Sequence, residues 1–159
     1  MIRLVGLALA MMMMPLQAHA LSCLAPSVSR TFHDVNAAPE VYVVVKGRLT
    51  VGTPKQPELD KSKQEPPKST RLPARLRGTS MSQNGFNVPF DQRVTLEIAC
   101  IGPWCGSVQN GEQVLAFVKR EDNRYFLAIN PCGGHVFSNP KPAMSKQVYS
   151  CFKGATCTD

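Results

Sequence analysis

Apolar and polar positions along this chain fall into short runs separated by turn residues. Val41-Tyr42-Val43-Val44-Val45 is a β-branched run that continues through Lys46-Gly47-Arg48 to Leu49. Such a run predicts a buried strand, with Gly47 marking a bulge or sharp bend. From Leu72 to Met81, Leu72, Ala74, Leu76 and Gly78 alternate with Arg75 and Arg77. From Arg93 to Cys100 the alternation is clean: Val94, Leu96, Ile98 and Cys100 face inward, and Arg93, Thr95 and Glu97 face outward. Val114 to Val118 and Tyr125 to Ile129 predict two further strands, paired as a hairpin through Glu121 to Asn123. Asn84-Gly85 and Asn110-Gly111 are turn signals. A short helix is expected from about Ser145 to Lys153, capped by Gly154.

Between the first two strands the pattern collapses. Pro54, Pro57, Pro66 and Pro67 sit among Lys, Gln, Glu and Ser. A segment with so little to bury cannot offset its ordering entropy, which predicts a disordered basic loop over about 52–71. Five short strands, one long loop after the first and a small late helix suit a mainly all-β fold. The expected architecture is a five-stranded Greek-key barrel of the OB type, stapled by disulfides and formed as one domain over 21–159.

The first twenty residues read as a signal peptide. Arg3 gives a positive start, Leu4 to Leu16 an apolar stretch, and Ala18-His19-Ala20 a small-x-small cleavage site. Cleavage after Ala20 makes the protein secreted or periplasmic. The rival is cleavage before Cys23 with lipidation there, which would anchor the domain at a membrane. No later segment is apolar over the length a span requires, so no transmembrane span is expected.

The chain carries 18 Lys and Arg against 11 Asp and Glu, a formal net charge of +7, or +6 once Arg3 is removed. That excess is local. Nine basic residues lie between Lys46 and Arg77 against Glu58, Asp60 and Glu65. Clustered cations favour an anionic envelope surface as a partner through the basic loop. Nucleic acid is not expected, because no Phe, Tyr or Trp interleaves these charges between Leu49 and Gln83.

Six cysteines, Cys23, Cys100, Cys105, Cys132, Cys151 and Cys157, follow the signal segment. An even count in an exported chain reads as a disulfide framework, and six cysteines allow fifteen pairings. No spacing fits a redox Cys-x-x-Cys or a zinc finger, and His33 and His135 are isolated, so neither a metal nor another cofactor is expected. His135 reads as a polar turn residue. The serines lack a nucleophile setting and the carboxylates show no acid/base pairing, so the chain is read as not an enzyme. Trp104, the single tryptophan, has two readings: a ring packed over a disulfide, or an exposed anchor for a partner.

The order of these features resembles a known family. A cysteine just after the signal, a Val-rich strand ending in Lys46-Gly47-Arg48, a long polar loop, Trp104-Cys105-Gly106, a hairpin and Cys132 together resemble the tissue inhibitors of metalloproteinases and related netrin-type modules. These are disulfide-tied OB barrels, and this chain would be a distant bacterial-type member. The resemblance implies a bond between Cys23 and Cys132; proximity then pairs Cys100 with Cys105 and Cys151 with Cys157. The alternative joins Cys23 to Cys105. In those inhibitors a terminal Cys-x-Cys segment chelates a protease zinc. This chain has one cysteine there, preceded by Leu21-Ser22, which removes the amine from the chelating position.

The function expected is therefore an exported binding module for a protein or envelope partner. Its contact residues would be Leu21, Ser22, Cys23 and Leu24 in the N-terminal arm, with Pro103, Trp104, Cys105 and Gly106 in the loop Gly102 to Gly106. Two alternatives accompany it: a metalloprotease inhibitor, with a metalloprotease as partner, and an envelope-associated structural component or lipoprotein.

Overall fold

The structure, a computed structural model, describes residues 21–52 and 68–158. The signal-peptide segment 1–20 and the greater part of the expected basic loop, 53–67, lie outside the described residues. In chain order the elements are α1 (Val28–Ala37), β1 (Val41–Val51), β2 (Ser69–Ser82), β3 (Gly85–Ile101), β4 (Trp104–Cys105), β5 (Gln113–Glu121), β6 (Arg124–Ile129), β7 (Val136–Ser138) and α2 (Pro142–Phe152).

Five of these strands close a barrel. β1 pairs β2, β2 pairs β3, β3 pairs β6, β6 pairs β5, and β5 returns to β1. Only the β3–β6 pairing is parallel. This circuit is the five-stranded OB barrel. β7 adds to the first half of β5, opposite Val114 to Ala116. β4 is a two-residue return on the end of β3.

The burial of each strand follows from what covers it. β3 meets the barrel interior on one face and solvent on the other, so Val94, Leu96 and Ile98 are buried while Arg93 is exposed and Thr95 and Glu97 are half-buried. β5 is covered on both faces, and five consecutive residues are buried, Val114 to Val118. Val114, Ala116 and Val118 join Leu49, Leu72 and Leu96 inside the barrel. Leu115 and Phe117 face the other way, packing with Val44, Phe137 and residues of both helices, Val28, Val35 and Val148. Each fully buried Leu or Phe contributes roughly 1.5–3 kcal/mol.

Helix α1 is absent from the sequence expectation. Val28, Ser29, Thr31 and Asn36 are weak helix formers, which masks the spacing of Val28, Phe32 and Val35. Its start is fixed by Ser27, whose Oγ accepts the Arg30 N–H at 3.1 Å. Helix α2 begins three residues earlier than expected because Pro142 occupies its first position, where a missing N–H costs nothing. Its end has the expected glycine: Gly154 at φ +73° donates to the Cys151 carbonyl, and Ala155 donates to Ser150.

Three expectations for the strands are corrected. β2 starts at Ser69, inside the segment 52–71 assigned to the loop, because Cys100 N–H reaches the Lys68 carbonyl at 3.0 Å and Ser69 pairs with Ala99. β3 starts at Gly85 rather than Arg93; Asn87, Pro89 and Asp91 hide its first half, which is mostly solvent-facing. Gly47 marks no bulge, since its register against Gly78 is regular. The strands instead approach so closely there that a Cβ on Gly47 would overlap the Arg77 carbonyl, and one on Gly78 the Lys46 carbonyl. The register shift falls at Ser80/Met81.

Candidate functional site

Three disulfides bind the structure: Cys23–Cys132, Cys100–Cys105 and Cys151–Cys157. Two of them meet at one end of the barrel, where β6 ends at Ile129. Past Ile129, Asn130 organises a tight turn: its Oδ1 accepts the Cys132 N–H at 3.0 Å and its carbonyl accepts the Gly133 N–H at 3.1 Å. This turn presents Cys132 to Cys23, closing a separation of 109 residues at a Cα–Cα distance of 5.2 Å. Pro26 packs against Gly133, and Thr31 Oγ1 donates to the Gly134 carbonyl at 3.0 Å. The N-terminal arm is thus fixed over residues 130–134.

The loop bearing Trp104 is fixed to the same connection. Cys100 and Cys105 face each other across the β3–β4 return, with Ile101 opposite Trp104 one step further out. Gly106 N–H donates to the Ala99 carbonyl at 2.9 Å. Gly106 is buried against Ile129 and Asn130 so tightly that a Cβ would strike their backbone. Only glycine fits here.

The expected contact residues therefore converge on one connection, though with different exposures. Ser22, Cys23 and Leu24 are exposed and Leu21 is half-buried. Pro103 and Trp104 are exposed, Cys105 is half-buried and Gly106 is buried, so Gly106 positions the loop and offers no contact surface. The Trp104 ring lies beside Gly102 and is 38% exposed. The ring is thus partly covered and partly in solvent, which leaves a face for a partner beside the Cys100–Cys105 bond. Sequence reasoning missed Ile101, which is 49% exposed beside it. Its place in the pattern was legible, because the residue after the last inward position of an alternating strand points outward.

The Cys23–Cys132 bond also has a chemical consequence. A thioether-linked lipid needs the Cys23 sulfur, and in this fold that sulfur is committed to Cys132.

The flanks of the basic region are partly neutralised. Arg71 bonds Glu97 at 2.8 Å, and Asp91 accepts from both Arg75 at 2.6 Å and Arg77 at 3.1 Å. The Arg75 guanidinium, assisted by Arg77, holds the Asp91 carboxyl down at about 2. His135 lies in the bend ahead of β7, as expected of a turn residue, but its ring is half-buried. Gly133 and Gly134, at φ +74° and +118°, turn the chain so that its ring lies edge-on to Tyr42, 5.6 Å between centroids. Burial lowers its pKa, with Asp34 acting in the opposite sense.

Among the described residues, no group of three or more His, Cys, Asp and Glu could hold a metal ion, and no helix is long and apolar enough to cross a membrane. The fold and this end of the molecule define a disulfide-clamped OB barrel on which Leu24, Ile101 and Trp104 are exposed. No protein-family model, curated protein or solved structure matches the chain.

Proposed function

We propose that the protein is an exported, disulfide-bonded binding module, not an enzyme, that holds a protein partner on the ridge formed by the N-terminal arm and the β3–β4 return. One observation carries this reading. Of the six exposed large apolar residues among those described, three are Leu24 at 72%, Ile101 and Trp104. Leu24 sits on an arm that Cys23–Cys132 fastens to the connection after β6. Ile101 and Trp104 sit on a return closed by Cys100–Cys105 and packed on the same connection through Gly106. Exposed apolar side chains held rigidly lose little entropy on binding, and tryptophan anchors many interfaces. The three disulfides suit an oxidising compartment, in keeping with secretion or the periplasm.

The test is site-directed photo-crosslinking in the cells that export the protein. A photoreactive residue at position 104 is expected to give a discrete protein adduct that is lost on Leu24→Ser with Ile101→Ser. The same probe at Asn87, exposed near the start of β3, is expected to give none. Equal labelling from both positions would discard the ridge as the contact surface.

A second reading, inhibition of a metalloprotease, is favoured by the Cys23–Cys132 clamp beside Cys105-Gly106, the placement that the family resemblance implies. The mature N-terminus decides it. A chain beginning at Cys23 with a free amine keeps zinc chelation available, whereas one beginning at Leu21 removes it. The same mass measurement reads any diacylglyceryl addition at Cys23.

A further inference from the structure

The far end of the barrel carries a different surface. In the β2–β3 register Arg75 lies directly opposite Arg93. On the other side of β3, Thr95 pairs with Phe126 of the parallel strand β6. Two residues upstream on both strands, Arg93 and Arg124 fall level. All three arginines border one cleft of about 550 Å³, together with Asp91, Thr95 and Tyr125.

This row is electrostatically unfavourable as it stands. Like charges directly opposite each other on a sheet are destabilising. Asp91 offsets Arg75 and is shared with Arg77. Arg93 has no ion pair among the described residues. The Arg124 guanidinium carbon sits 5.6 Å from the Phe126 ring centroid, a contact that holds the cation over the sheet without neutralising it. Glu121 stands opposite Arg124 in the β5–β6 register but bonds Lys119 at 3.4 Å, so among the described residues Arg93 and Arg124 form no ion pair and the cleft keeps a positive excess.

We propose that this cleft binds an anionic polysaccharide, with carboxylate or sulfate groups of the chain seated on Arg75, Arg93 and Arg124. Strands stand about 4.8 Å apart, so the outer two arginines are separated by roughly 10 Å, more than one anion spans. A second groove of about 280 Å³ runs on from the first along Thr50 to Gly52 and shares Pro73, Ala74, Arg75 and Arg93 with it. The surface is thus elongated and suits an extended chain with repeated charges. Guanidinium groups match carboxylate and sulfate oxygens two at a time. A nucleic acid fits less well, because the cleft offers no free aromatic face. Its single bordering ring, Tyr125, is engaged edge-on with Phe90 at 5.2 Å. A lipid surface fits less well again, since Leu24, Ile101 and Trp104 lie at the opposite end.

The test titrates the disulfide-intact protein at about 0.15 M salt, near a Debye length of ~8 Å. The probes are heparin, polygalacturonate, a single-stranded DNA oligomer, phosphatidylglycerol vesicles and inorganic sulfate. One polysaccharide is expected to bind tightest. Arg93→Ala with Arg124→Ala should weaken it at least about tenfold and lower the slope of log K against log salt by about two. Lys141→Ala with Lys146→Ala, which removes the same charge from α2, should leave affinity unchanged. Removing like charges should not lower the melting midpoint; if it does, Arg93→Gln alone is read instead, with at least a threefold loss expected. Equal weakening by the lysine pair, tighter binding of DNA or vesicles, competition by sulfate at the same charge concentration, or no polysaccharide binding would each overturn the proposal.

Discussion

Strands β3 and β6 run side by side in the same direction, yet their two ends are finished in opposite ways. The downstream end, from Ile101 and Ile129 onward, is held by two disulfides and leaves Leu24, Ile101 and Trp104 in solvent. The upstream end, about 20 Å away at the rise of an extended strand, has no covalent link and leaves a row of arginines in solvent. The difference teaches where each kind of exposed group can be kept. Apolar side chains left in water are fixed by sulfur bonds to glycine-lined backbone, so they cannot collapse inward. Guanidinium groups need no such restraint, because solvation already holds them outward, and one carboxylate suffices to order two of them.

The largest effect is expected where the covalent end is opened. Cys23→Ser with Cys132→Ser releases a loop of 109 residues, and loop entropy puts the loss of stability at about 5 kcal/mol. Urea unfolding should read that loss, and crosslinking from position 104 should disappear. Affinity at the arginine row should hold at denaturant-free conditions. A parallel loss there would mean that the two ends are one cooperative surface and not two.

Next in size is the exposed pair itself. Ile101→Ser and Trp104→Ser should each cost about 2 kcal/mol in partner binding if they are anchors. Their effect on stability should stay within about 0.5 kcal/mol, as for surface positions generally. Chemical denaturation beside a binding titration separates the two. A stability loss of several kcal/mol would make the ridge part of the core.

How far these two ends could be read from the chain follows from the kind of signal each carries. The barrel was legible because burial on one face writes alternation into Arg93 to Cys100, and burial on two faces writes the unbroken run Val114 to Val118. The bridges Cys100–Cys105 and Cys151–Cys157 close over separations of 5 and 6 residues, which proximity suggests; nothing local announces the partner of Cys23. Helix α1 was hidden because its residues favour caps and strands. The arginine row was hidden for another reason. Arg75, Arg93 and Arg124 meet only through strand register, which depends on the turn at Gly85 and the parallel pairing of β3 with β6. No stretch of sequence contains it.

A smaller effect is expected at the clamped end as pH falls. His135 is held neutral by burial, so its folded pKa lies below the 6.5 of a free imidazole. Above 6.5 both states are neutral and no penalty exists. Below it the unfolded chain binds a proton that the folded chain resists, so stability declines as pH falls from 6.5 toward the folded pKa. His135→Gln should flatten that part of the melting profile. Disulfide-bonded ridge geometry should otherwise persist, with crosslinking at position 104 retained.

The smallest stability effect belongs to Asp91, and it sharpens the comparison most. Its side chain is 49% exposed, so screening keeps its contribution small despite the pKa of about 2 against an ordinary 3.8. The sign is fixed by the direction of that shift. The stabilisation is present above 3.8 and is lost as pH falls toward 2, because the unfolded carboxyl protonates first. Asp91→Asn should remove this acid-side slope from the melting curve. At neutral pH the same substitution releases Arg75 and Arg77 from their shared partner, which adds uncompensated charge to the row. Polysaccharide affinity should therefore rise, and the salt dependence should steepen by about one unit, while crosslinking from Trp104 is untouched. If affinity falls instead, Asp91 orients Arg75 for the ligand, and the open end is built by ion pairing as firmly as the other is built by sulfur.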